Sequence, residues 1–133
     1  MWGYRTPKLW DSEHNKACLG AKIVVGHTGF AHIALANSVR DFKVLGAGGF
    51  LLTEHVQEIE TLFEPGVHCD TYRTADECAD KIRYYLNNEA KRTAIAAAGY
   101  EHVHQQHRYV DRIQQVLEDV RAYKKQSSNP SLK

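Results

Sequence analysis

Several features that announce a specialised chemistry are missing from this chain. It has three cysteines, Cys18, Cys69 and Cys78, an odd number with no C-x-x-C pair among them. That argues against a disulfide framework and against a zinc site, and it favours a reducing compartment. No apolar run reaches membrane-spanning length, and the opening MWGYRTPKLW lacks a secretory apolar core. The expected location is therefore the cytoplasm, with no membrane span. Charge of one sign is lacking too: 17 basic and 16 acidic side chains leave a net +1. Such a balance offers no electrostatic footprint for nucleic acid or an anionic membrane. No internal repeat is present.

What remains is an ordinary soluble composition, 43% hydrophobic and 25% charged over 133 residues, enough for one domain with a real core. The ends look peripheral. Residues 1–21 read as an extended arm followed by a short helix from Ser12, stopped at Gly20. Residues 124–133, polar and carrying Pro130, read as a disordered tail. Between them, 22–123 form the domain. Lys22–Val25, Gly49–Leu52 and the more polar His68–Arg73 read as strands. Val39, Phe42 and Leu45 share one helical face, and Val56, Ile59, Leu62 and Phe63 share another, ended by Pro65-Gly66. Thr74 and Glu77 make a capping box ahead of a stripe of Cys78, Ile82, Tyr85 and Leu86. A second stripe runs through Ile95, Ala98, Gly99, His102 and Val103. A third, Tyr109, Ile113, Val116, Leu117 and Val120, is the clearest amphipathic pattern in the chain. Short apolar strands separated by helices indicate an α/β class: a partial Rossmann-like parallel sheet of about three strands, flanked by helices and ending in a helical C-terminal segment.

In an open parallel sheet, ligands sit outside the carboxyl ends of the strands, often at helix N-termini. Gly26-His27-Thr28-Gly29 and Thr53-Glu54-His55 fall there, beside the helix that begins near Ser38. Arg40 in the first turn of that helix opposes the macrodipole. Either a bound phosphate reverses the penalty or Arg40 pairs with Asp41 or Glu54. Gly46-x-Gly48-Gly49 follows a helix and precedes a strand, the reverse of the dinucleotide fingerprint. Its expected role is mechanical, a left-handed exit from the helix that packs tightly under the sheet. His102, His104 and His107 do not share one helical face, so no metal site is expected from their spacing, and no nucleophile–base arrangement stands out.

Four ordered motifs carry a resemblance. Arg40-x-Phe42-x-x-Leu45-x-x-Gly48 runs into Gly49-Phe50-Leu51-Leu52-Thr53, and Ile59-Glu60-x-Leu62-Phe63-Glu64-Pro65-Gly66 follows. Then come Tyr72 and Glu77 with KIRYYLNN from Lys81 to Asn88. Last come Arg92-x-x-Ile95-Ala96-x-x-Gly99 and His107-x-Tyr109-x-x-Arg112. From about Lys22 to Val120 the chain resembles the C-terminal domain of glycosyltransferases of the two-Rossmann (GT-B) fold, in the branch that includes spore-coat-type transferases.

The resemblance implies a domain that holds a nucleotide-sugar donor through Ser38, Arg40, Lys43, Thr53 and Glu54, with no catalytic residue, metal ligand or cofactor assigned. Lys43 stands where the family usually carries a ribose-binding glutamate, and a cation cannot accept two hydroxyls as a carboxylate does. The family's N-terminal domain has no counterpart before Lys22, so the resemblance implies a truncated, donor-binding half that is not catalytically competent alone. Two alternatives accompany it. One is a self-associating interaction module, a homodimer with Trp2, Tyr4 and Trp10 in its interface. The other is a subunit completed by a separate N-terminal domain.

Overall fold

The computed structural model describes residues 9, 11–29, 33 and 37–127. Trp2, Tyr4, Trp10 and positions 128–133 fall outside the described residues. Among the described residues the chain runs α1 (Asp11–Gly20), β1 (Val24–Gly26), α2 (Val39–Gly46), β2 (Leu51–Glu54), α3 (Ile59–Leu62) and β3 (Asp70–Tyr72). It ends with α4 (Ala75–Asn87), α5 (Glu89–Gln106) and α6 (Tyr109–Ser127). The three strands form one parallel sheet in the order β1-β2-β3, with Val25 opposite Leu52 and Thr53 opposite Thr71. This is the expected α/β class and strand count.

Successive residues of the central strand face opposite sides, as a pleated backbone requires. Leu51 packs with Cys18, Val44, Leu45, Val56, Ile59, Phe63 and Val103 on one face. Leu52 packs with Phe50, Tyr72, Tyr85 and Ile95 on the other. Helices therefore cover both faces, which is why these strands are continuous apolar runs rather than alternating ones.

The glycine turn positions β2. At the end of α2, Gly48 donates to the Leu45 carbonyl and Gly49 to that of Val44, at 2.9 and 3.0 Å. Gly48 takes φ +83°, a left-handed value that costs an L side chain about 1 kcal/mol or more. A Cβ on Gly49 would lie 2.8 Å from the Cys18 carbonyl oxygen. The chain is thus still turning at Gly49, and β2 starts at Leu51, two residues later than the apolar pattern suggested. A similar delay moves β1 to Val24–Gly26.

Three other expectations change. The helix expected over Val56–Phe63 shrinks to the four residues of α3, while Val56 and Phe63 are buried from the flanking loops. At the start of α4, Thr74 Oγ1 accepts the Glu77 N–H as expected, but Glu77 Oε2 returns to the Arg73 N–H at 2.8 Å, one residue before the cap. Helix α6 forms and continues to Ser127, past the start of the expected tail. Nothing between Lys124 and Ser127 breaks a helix, and Lys124 and Lys125 suit its negative end. Its apolar stripe, however, has no buried residue.

Candidate functional site

The polar edge of the domain is built at the carboxyl ends of β1 and β2. Ser38 caps α2 with an extended backbone, its Oγ accepting the Arg40 N–H at 3.3 Å. Arg40 turns back toward β1, where Nη2 donates to the His27 carbonyl at 3.0 Å. Its Nε lies 4.0 Å from Asp41 Oδ1, too long for a hydrogen bond. Gly26 makes this approach possible, because a Cβ there would meet Thr53 Oγ1 at 2.6 Å and Arg40 Nη2 at 3.2 Å.

Thr53 and Glu54 adopt different roles. Thr53 is fully buried and gives its hydroxyl to Asp41 Oδ1 at 3.4 Å. Glu54 braces the loop after β1: its Oε2 accepts the Thr28 N–H at 3.0 Å, the Thr28 hydroxyl at 2.9 Å and the Gly29 N–H at 3.3 Å. His27 Nδ1 lies 2.9 Å from the same oxygen. Partial burial pushes the Glu54 carboxyl up, but these donors outweigh it and hold its pKa below the ordinary carboxylate range.

Asp41, which sequence reasoning treated only as a neighbour for Arg40, is completely buried. Burial raises its pKa, against the opposing pull of Arg40, Ser38 and Thr53. Its Oδ2 has no hydrogen-bond partner among the described residues, and neither do Arg40 Nε and both side-chain polar atoms of Asn37. Buried polar atoms are almost always satisfied, and each orphan costs on the order of 1–3 kcal/mol. Four such atoms within five residues of sequence mark the start of α2 as a place where polar groups lack partners. Nothing in composition or periodicity signals this, because Asn37 and Asp41 look like ordinary helix-start residues.

Lys43 lies one turn further along α2 and faces elsewhere. It lines an open groove of about 540 Å³ between α2, the end of α5 and the foot of α6. Val39, Phe42, Gly46 and Val103 contribute apolar surface, with Lys43, His104, Arg108 and Arg112 around it. The five donor-site residues expected from sequence thus divide: Ser38, Arg40, Thr53 and Glu54 gather at the strand edge, and Lys43 borders the adjoining groove.

The histidines also divide. His102 and His107 converge, Nε2 to Nε2 at 3.3 Å, because His107 lies just past the end of α5 and is free of its helical spacing. His68 stacks on His102 at 4.1 Å between centroids. His104 turns away to Tyr100. Among the described residues no group of three or more His, Cys, Asp or Glu side chains is arranged to hold a metal ion. No helix of the described residues is long and apolar enough to cross a membrane.

A three-stranded parallel sheet with helices on both faces and a polar edge at its strand ends is a Rossmann-like α/β domain. A family model described as glycosyl transferase-like matches residues 2–118 of the 133, and the chain belongs to that family. No curated protein and no solved structure gives a significant match.

Proposed function

We propose that this chain is a donor-binding domain of glycosyltransferase type, taking a nucleotide-sugar at the edge formed by the β1 loop and the start of α2. The observation that carries the proposal is the pair of donors at the start of α2, Arg40 Nε and Asn37 Nδ2, that have no partner among the described residues. A diphosphate there would meet the Arg40 guanidinium and the positive end of α2, both suited to an anion. Family membership makes a nucleotide-sugar the ligand class to test.

Sugar transfer also needs an acceptor held in line with the donor. Among the described residues the edge offers donors, a guanidinium and one histidine–carboxylate pair, His27 and Glu54, whose carboxylate already braces the β1 loop. The acceptor wall then belongs to another domain or chain, and this unit is not a competent transferase by itself. By the resemblance Lys43 stands at the place of the family's ribose-binding acid, and it borders the groove adjoining the edge.

Amide-resolved NMR titration with UDP-, GDP- and CDP-linked sugars tests the reading. Binding should move signals of Gly26–Gly29 and Ser38–Asp41 first, and no movement with any of them at millimolar concentration would sink it. Lys43→Glu should raise nucleotide affinity, since it restores an acceptor for the ribose; unchanged affinity means the ribose does not reach that position. A second reading, a self-associating module, is favoured by the uncovered stripe of α6.

A further inference from the structure

Helix α6 has an apolar seam with a specific period. Tyr109, Ile113, Val116, Val120 and Tyr123 recur at alternating spacings of four and three residues. That is a heptad rhythm, and with Val110 and Leu117 beside it the apolar face is wider than a strict two-position seam. All five are exposed, from 45% at Val120 to 79% at Tyr109, and no residue of α6 is buried. A contiguous apolar strip of this kind on a soluble domain marks an interaction surface.

We infer that the partner is a second copy of this chain, packed α6 against α6 in parallel. The heptad assignment places Ile113 and Val120 at a, and Tyr109, Val116 and Tyr123 at d. Residues branched at Cβ in the a position favour two parallel strands. Asp119 then falls at g and Lys124 at e, so that each protomer's Asp119 faces the Lys124 of its mate. An antiparallel pairing loses this match, because it sets g against g and e against e. Val110 and Leu117, exposed at 49% each, occupy the other e positions and widen the seam.

The seam also continues into the body of the domain. Tyr109 lies both on the seam and in the groove beside Val39, Phe42 and Val103. A second α6 entering alongside would extend its contact onto those residues. This continuity matters because α6 has only 19 residues, and so short a helix pair is marginal without further burial. The dimer is accordingly a weak, concentration-dependent one.

The test is the mass of the full 133-residue chain, measured by light scattering and sedimentation from low to high micromolar concentration. A monomer–dimer equilibrium is expected, and Ile113→Glu should hold the protein monomeric at every concentration while leaving its circular dichroism nearly unchanged. Asp119→Lys and Lys124→Glu should each weaken the dimer about tenfold, and the two together should restore it. Tyr123→Cys should cross-link the dimer under mild oxidation, because parallel packing brings the two copies of that residue together. A wild-type chain that remains monomeric throughout overturns the inference, as does a dimer that survives Ile113→Glu. Failure of the double exchange to restore association, or of Tyr123→Cys to cross-link, overturns the parallel arrangement.

Discussion

The Glu54 carboxylate holds Thr28 twice, accepting its backbone N–H at 3.0 Å and its hydroxyl at 2.9 Å. One side chain at the end of β2 thereby fixes the loop that leaves β1, on the edge where the donor is proposed to sit. Truncation should release the loop. In Glu54→Ala, amide exchange at Thr28 and Gly29 should accelerate at least about tenfold, with a stability loss of about 1–2 kcal/mol. Glu54→Gln, which keeps an acceptor, should lose less. Unchanged exchange at both amides contradicts the bracing role.

Helix α5 crosses β3's approach at a single glycine. A Cβ on Gly99 would press into the His68 carbonyl oxygen and lie 2.9 Å from Leu45 Cδ2. Because the first of these is backbone, relief requires α5 to move. Gly99→Ala should therefore cost on the order of 3 kcal/mol, read as a lower urea midpoint with an unchanged slope. Gly20→Ala is the control, since nothing lies within 4 Å of its added Cβ; a loss there as large as at Gly99 would rule out the steric account.

The features legible in the sequence were those set by local chemistry. The left-handed turn at Gly48, the Thr74 cap and the class of the sheet all follow from residues close together in the chain. The stripe on α6 was equally legible, but periodicity states which face of a helix is apolar and not whether anything covers it. The orphaned atoms at Asn37 and Asp41 were invisible for a related reason. The burial of Asp41 depends on β2, whose Thr53 closes over it from twelve residues away in the chain. Likewise Arg92, buried with its Nη1 donating to the Tyr85 carbonyl at 2.7 Å, is a helix joint that no composition rule reveals. That Ser38, Arg40, Thr53 and Glu54 share one edge follows from their places at strand ends and a helix start, whereas the direction of Lys43 does not follow from its spacing.

Across the sheet, the Tyr85 phenol donates to Asp70 Oδ2 at 2.8 Å while Lys81 donates to Asp70 Oδ1 at 3.0 Å. Asp70 thus ties β3 to two turns of α4. Tyr85→Phe removes one donor and leaves a buried carboxylate oxygen short of a partner. A loss of about 1–3 kcal/mol is expected in chemical denaturation; a change below about 0.5 kcal/mol would mean water already serves that oxygen.

His107 Nδ1 accepts from Arg112 Nη2 at 2.8 Å, and since a guanidinium only donates, that nitrogen must be unprotonated. Burial, then Arg112 and His102, lower the pKa of His107. His68 is lowered by burial and then by His102, with Glu64 in partial opposition. The unfolded chain takes up protons on these rings near pH 6.5 that the folded chain refuses. Their stabilisation is therefore full above about pH 6.5 and declines as pH falls through the window below it. The urea midpoint should drop between pH 7.5 and 5.5, well above the range where carboxylates titrate. His107→Gln should flatten part of that slope; an identical slope would place the proton uptake on other groups.

The proposed donor site stands or falls on Arg40. Calorimetric titration of the full chain with UDP-, GDP- and CDP-linked sugars, repeated with Arg40→Ala, measures its contribution directly. The account predicts saturable heat with at least one of these ligands and an affinity at least tenfold weaker in the variant, about 1.4 kcal/mol. No heat with any ligand, or equal affinity for wild type and Arg40→Ala, would contradict it.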